Sequence, residues 1–178
     1  MEYLDIYDSE GKSLGIVKSK KEAHDQGLWH RAVHIWIINP KGEVLIQKRS
    51  PLKDNNPNKW DISSAGHVSA GETDITSAIR ETEEELGLSL PETTFIQIGI
   101  IKQMSARAGY INNEINPVYV VEIDIEMEKI KMQEEEVSEV KLLHFKELKK
   151  LIEDNDPTFV RHPDEFKLLF DYLEKKYE

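Results

Sequence analysis

Three glutamates, Glu81, Glu84 and Glu85, stand at i, i+3 and i+4 in the run Arg80-Glu81-Thr82-Glu83-Glu84-Glu85-Leu86-Gly87-Leu88. On a helix that spacing brings the three carboxylates to one face within about one turn. Like charges so placed repel, and a helix that carries the repulsion gains from a compensating cation. Oxygen-only ligation by clustered carboxylates suits Mg²⁺ or Mn²⁺. A bare acidic run is more often a solvated helix face, so the flanking residues decide. Gly66-His67-Val68-Ser69-Ala70-Gly71-Glu72 leads into the helix. Before it come Lys48, Arg49, Lys53 and Lys59, with Arg107 further on, placed either to meet phosphates or to stand as solvated loop cations.

These groups need elements to hold them. A helix is expected from Asp74 to Leu86, with Thr73 as N-cap and Gly87 as stop. Ile75, Ala78, Ile79, Thr82 and Leu86 recur at helical spacing as an inward stripe, which leaves the glutamates on another face. The chain start reads as a hairpin, Tyr3 to Tyr7 and Leu14 to Val17 about the turn Asp8-Ser9-Glu10-Gly11, with a short helix from Ser19 to Gln26. Ala32 to Ile38 and Val44 to Ile46, joined by Asn39-Pro40-Lys41-Gly42, read as a buried central hairpin. Pro51 to Lys59 has a loop composition, and Trp60-Asp61-Ile62 suggests a brief strand. Strands at Phe95 to Gln103, Val118 to Ile125 and Val137 to Leu143, then helices at Phe145 to Glu153 and Asp164 to Lys176, complete the reading. With no repeat or linker, this is an α/β (α+β) fold, a mixed sheet sandwiched between helices in a single domain over residues 1–178.

Composition narrows the chemistry. The chain has no cysteine, which excludes disulfides, thiolate metal sites and cysteine nucleophiles. A formal charge of -11 opposes a broad nucleic-acid or anionic-membrane surface, and an anionic small substrate would need a cation to help it bind. No apolar run approaches the roughly 20 residues of a membrane span, and the start lacks the pattern of a signal peptide, so a cytoplasmic location is expected.

The segment from Gly66 to Leu88 resembles the Nudix box, Gly-x5-Glu-x7-Arg-Glu-U-x-Glu-Glu-x-Gly-U with U a bulky aliphatic residue. Every specified position agrees except Thr82. It lies on the inward stripe, where a packing accommodation and no loss of chemistry is expected. The resemblance implies that Glu81, Glu84 and Glu85, helped by the carbonyl of Gly66, hold Mg²⁺ (or Mn²⁺). It also implies a structural salt bridge between Glu72 and Arg80. The implied reaction is attack of water on a phosphorus of an organic diphosphate, with a glutamate as base. Glu84, Glu114, Glu135 and Glu136 are all open for that role. The superfamily is often dimeric, which leaves a homodimer open.

The resemblance extends over nearly the whole chain and is strongest to the branch that includes isopentenyl-diphosphate isomerase. His24, His30 and His67 match the histidines of that isomerase's second metal site, Glu114 matches one of its acidic ligands, and Asn112 occupies the place of another. Three imidazoles and a carboxylate suit a transition metal, although lone histidines are commonly satisfied by local hydrogen bonds. The isomerase's cysteine, however, is replaced by Ala65, and the glutamate cluster that the isomerase degrades is intact here. Both departures favour hydrolysis of a nucleoside diphosphate derivative or an isoprenoid diphosphate. The alternatives are isomerisation without a thiol and a domain that senses a nucleotide without turnover.

Overall fold

The computed structural model describes residues 1–178. Strands β1 (Tyr3–Tyr7) and β2 (Ser13–Ser19) form the opening hairpin, and the Asp8 carboxylate accepts the backbone N–H groups of Glu10 and Lys12 to fix its turn. Ser19 ends β2 and starts helix α1 (Lys20–Gln26) through a reciprocal capping box with Glu22.

Strands β3 (Trp29–Ile38) and β4 (Glu43–Arg49) are the expected central hairpin, but they pair only at Ile37 with Leu45 and Ile38 with Val44. Beyond those positions other strands compete for their edges. Strands β5 (Trp60–Asp61) and β9 (Val137–His144) pair with β4, while β6 (Ser64–His67) and β8 (Tyr110–Glu122) pair with β3. The β3–β8 pairing is parallel, so the nine-stranded sheet is mixed. Strand β7 (Phe95–Arg107) closes a long hairpin with β8 about Gly109.

Three features go beyond or correct the expectations. Residues 64–67 form a strand that Ser-Ala-Gly-His does not advertise, because these residues lack the β-branched and large aromatic side chains that mark strands. The β7–β8 hairpin runs to Arg107 and resumes at Tyr110, well beyond the expected ends at Gln103 and Val118. Its extra length carries polar residues of the site. The glutamates of helix α2 (Asp74–Leu86) do not all share an outer face: Glu85 is buried, because β6 and the segment leading into β9 close over that end of the helix.

Alternation along β3 divides the core. Trp36 and Ile38 face helices α3 (Phe145–Glu153) and α4 (Pro163–Tyr177), packing with Phe145, Leu148, Phe166 and Leu169. Val33, Ile35 and Ile37 face α2, packing with Ala78 and Leu86. Each such fully buried side chain contributes about 1.5–3 kcal/mol. The sheet therefore lies between helices, as expected from the pattern of elements. No helix is long and apolar enough to cross a membrane.

Candidate active site

Helix α2 is positioned at both ends by its caps. Thr73 accepts the Thr76 N–H at 3.3 Å, and Gly87 adopts the left-handed conformation, φ 69°. The helix lies against β6 so closely that a Cβ on Gly66 would stand 2.1 Å from the Glu81 carboxyl carbon. Only glycine lets the carboxylate sit on that backbone.

Arg80 ties the preceding loop to the helix. Its guanidinium donates to Glu72 Oε2 at 3.1 Å and to the His67 carbonyl at 3.1 Å, and on its other arm to Glu81 at 2.6 Å. A longer contact reaches Glu84 at 3.4 Å. Ser77 donates its hydroxyl to Glu72 as well. The Glu72–Arg80 pair thus fixes the loop over the helix and orients Glu81.

Glu85 accepts the Gln47 side-chain N–H at 3.0 Å. Burial, followed by the charges of Glu81 and Glu136, pushes its carboxyl up to about 8. Burial also raises Glu81, with Arg80 pulling the other way. Two crowded, desolvated carboxylates beside a bare glycine backbone form an all-oxygen donor set with unbalanced negative charge, which fits a hard divalent cation. Thr82, the position where an aliphatic residue is usual, is fully buried, and its hydroxyl donates to the Ala78 carbonyl at 2.8 Å. That bond within the helix satisfies the hydroxyl and makes the packing accommodation.

A second cluster is assembled from four separate elements. His24 (α1), His30 (β3), His67 (β6) and Glu114 (β8) each offer a ligand atom within 4.8 Å of the others. Register explains the convergence: His30 pairs with Glu114 across the parallel ladder, and His67 pairs with Ala32 across the antiparallel one. The Asn112 side-chain oxygen accepts a hydrogen bond from His24 Nε2 at 3.0 Å, and His30 Nδ1 donates to the Leu28 carbonyl at 2.9 Å. That bond leaves His30 Nε2 buried without a hydrogen-bond partner, 3.7 Å from Glu114. Burial and the neighbouring imidazoles push His24 down to about 4. Burial opposes charging of His67, but Glu114 and Glu2 lift it to about 9.

The helix glutamates line one cleft of about 1140 Å³, whose walls are mostly polar, and His67 and Glu114 of the second cluster open onto it, while His24 lines a neighbouring pocket. Arg49, Lys53 and Arg107 line the cleft too, whereas Lys48 and Lys59 do not. Arg49 reaches Asp61 at 3.2 Å and the Asn55 carbonyl at 2.9 Å, Lys53 pairs with Glu136, and Arg107 lies 4.8 Å over the Tyr110 ring. Lys48 instead pairs with Glu139 at 3.7 Å. Glu84 and Glu135 are exposed at the rim.

Sequence reasoning missed several cleft residues, Glu2, His34, Asp61 and His162, with Gln47 behind Glu85 and Glu165 behind His34. His34 had a signal, since on a strand it shares a face with His30. Glu165 lies 131 positions from the imidazole it binds, and no local pattern joins them.

A family model described as a NUDIX domain matches residues 6–162. Nudix hydrolase 3 of Arabidopsis thaliana is 41% identical over 182 residues, covering 98% of this chain but 24% of that protein. The chain thus spans about a quarter of that relative's length. A Nudix hydrolase of Clostridium acetobutylicum is 37% identical over 156 residues, 86% of this chain and 75% of its own. Among solved structures, DR0079 of Deinococcus radiodurans covers 99% of this chain and 100% of its own with a TM-score of 0.66 at 22% identity, a likeness of fold.

Proposed function

The chain belongs to the Nudix family, and from that premise we propose that it is a Mg²⁺- or Mn²⁺-dependent pyrophosphohydrolase, a single domain over residues 1–178 that cleaves the phosphoanhydride of a nucleoside diphosphate derivative or an isoprenoid diphosphate. The observation that carries the reading is the buried Glu85 carboxylate beside Glu81, itself pressed onto Gly66, at the wall of a polar cleft. Between the two substrate classes, the polar lining favours the nucleotide.

In this reading Glu81, Glu84, Glu85 and the Gly66 carbonyl hold the divalent cation. When bound, it supplies charge neutralisation at the bridging and leaving oxygens of the diphosphate. Arg80 keeps Glu81 aimed and the loop in place. Arg49, Lys53 and Arg107 meet the phosphates, with Lys53 exchanging Glu136 for substrate. A carboxylate takes the proton of the attacking water as the phosphorus–oxygen bond to the leaving group breaks. Glu114 is flanked by two imidazoles, Glu136 pairs with Lys53 and Glu84 with Arg80, which leaves Glu135 as the freer base.

The unpartnered, buried His30 Nε2 favours a second proposal: His24, His30, His67 and Glu114 bind a divalent transition metal. Isomerase chemistry is disfavoured because Ala65 stands where the thiol would be. Phosphate or pyrophosphate release from nucleotide, nucleotide-sugar, dinucleotide and isoprenoid diphosphates, with Mg²⁺ and with Glu85→Gln as control, tests the hydrolase. Turnover lost in the variant is expected. Folded protein that turns over nothing, but is stabilised by one of these ligands, would replace the enzyme with a sensor.

A further inference from the structure

Beyond the two clusters, the cleft holds a pair of histidines that neither uses. His34 lies on β3, four residues past His30, and pairs across the ladder with Ala65. It is 5% exposed and lines the cleft. Its Nδ1 donates to Glu165 at 2.6 Å. His162, just before α4, lines the same cleft, and its Nε2 donates to Asp61 at 2.8 Å. The two rings are 5.9 Å apart.

The carboxylates behind them are fully engaged. Glu165 also accepts the Trp36 indole N–H at 2.9 Å, and Asp61 accepts the Arg49 guanidinium at 3.2 Å and the Ile62 N–H at 2.8 Å. Each carboxylate therefore fixes one ring nitrogen as a donor and orients the ring, leaving the other nitrogen without a partner in the protein. Burial opposes charging of His34, yet Glu165 lifts it to about 9, and Asp61 raises His162 in the same way. With Arg49, three cationic groups then face two carboxylates on the cleft wall. Two imidazolium rings this close repel, as the helix glutamates do, with the sign reversed.

We propose that His34 and His162 form an anion-binding subsite that grips a phosphoryl group of the substrate other than the one held at the helix glutamates. This rests on the diphosphate-hydrolase reading and deepens it. The group bound is either the terminal phosphate of a diphosphate monoester or a further phosphate beyond the scissile linkage. A latch that merely pins α4 to the sheet would need the carboxylate contacts alone and no free donors at the cleft.

The test uses His34→Gln and His162→Gln in the full chain. Expected is a KM raised about tenfold with kcat within about twofold, since each removed contact is a charge-assisted hydrogen bond to bound substrate. A KM effect confined to diphosphate monoesters identifies the terminal phosphate. One confined to substrates with an additional phosphate identifies the distal group. Independently of turnover, inorganic phosphate added to metal-free wild-type protein should shift the ring resonances of His34 and His162 in NMR and raise the melting temperature. Unmoved resonances, or variants that lose thermal stability but keep KM, would overturn the subsite. If no substrate is hydrolysed yet the resonances move, the hydrolase reading fails while the anion site stands.

Discussion

The cleft sets two candidate metal clusters side by side, and they differ in how far they satisfy themselves. The carboxylates of α2 crowd one another, with Glu85 pushed up to about 8 by burial, Glu81 and Glu136. The histidine cluster balances its charge: Glu114 is held well below its usual range against its burial by His30 and His67, and His24 leans on Asn112, although His30 Nε2 lacks a hydrogen-bond partner. The first is an oxygen-only set on one helix. The second is a mainly imidazole set drawn from four elements. Hard, exchangeable Mg²⁺ suits the former and a more tightly held transition ion the latter.

The sharpest way to break this contrast is Glu85→Gln. Turnover should fall by roughly a hundredfold to a thousandfold, while metal-free melting temperature stays level or rises, because a crowded, desolvated ionisable group is gone. A fall in both would mean that the carboxylate is structural. Gly66→Ala should come next. Its Cβ cannot coexist with Glu81 in place, so rates drop on the order of a hundredfold by misplacing the carboxylate, at a stability cost of about 1–3 kcal/mol. For the histidine cluster, elemental analysis after mild chelator dialysis should find about one transition ion per chain in the wild type and none in His30→Ala, with Mg²⁺ lost from both. An ion lost equally easily from both proteins would erase the distinction between the clusters.

A smaller effect is expected from pH. Glu165 overrides burial to lift His34 to about 9, so this pair stabilises the fold fully below the unfolded histidine value and loses that contribution as pH rises through 9. Its carboxylate is lowered, so the same contribution also fades in acid, below the ordinary carboxylate range. Calorimetry should show a loss of a few degrees between pH 6.5 and 9 in wild type and a flatter profile in His34→Gln. The least change is expected for Thr82→Val. Its hydroxyl bonds only within the helix, so stability should move by less than about 1.5 kcal/mol with unaltered rates.

Much of the α2 region was legible because its signals are local. Thr73 and Gly87 bracket the helix where the sequence places its ends, and Glu72, Arg80 and the glutamates fall within one fourteen-residue stretch of sequence. The rest of the cleft was less so. Asn112, Asn113 and Glu114 precede the strand expected from Val118, because polar residues interrupt its apolar pattern, yet they are strand residues, and Asn112 and Glu114 line the cleft. The burial of Glu85 was not legible, because helical periodicity places it off the inward stripe and knows nothing of the segment that folds over it. The His34–Glu165 and His162–Asp61 contacts depend on the sheet and the last helix meeting, which no short window contains.

One ten-residue strand concentrates an unusual share of this chemistry. On a single face β3 presents His30, Ala32, His34 and Trp36, pinned on one side by β6 and on the other by β8. A strand's side chains alternate, so deleting one residue inside it would rotate Arg31, Val33 and Ile35 into the cleft and bury the histidines among aliphatics. Deletion scanning should therefore find β3 intolerant at every interior position, while the Pro51 to Lys59 loop absorbs length changes. Point substitution, and not a change of length, is then the route by which this strand's cleft face can diversify.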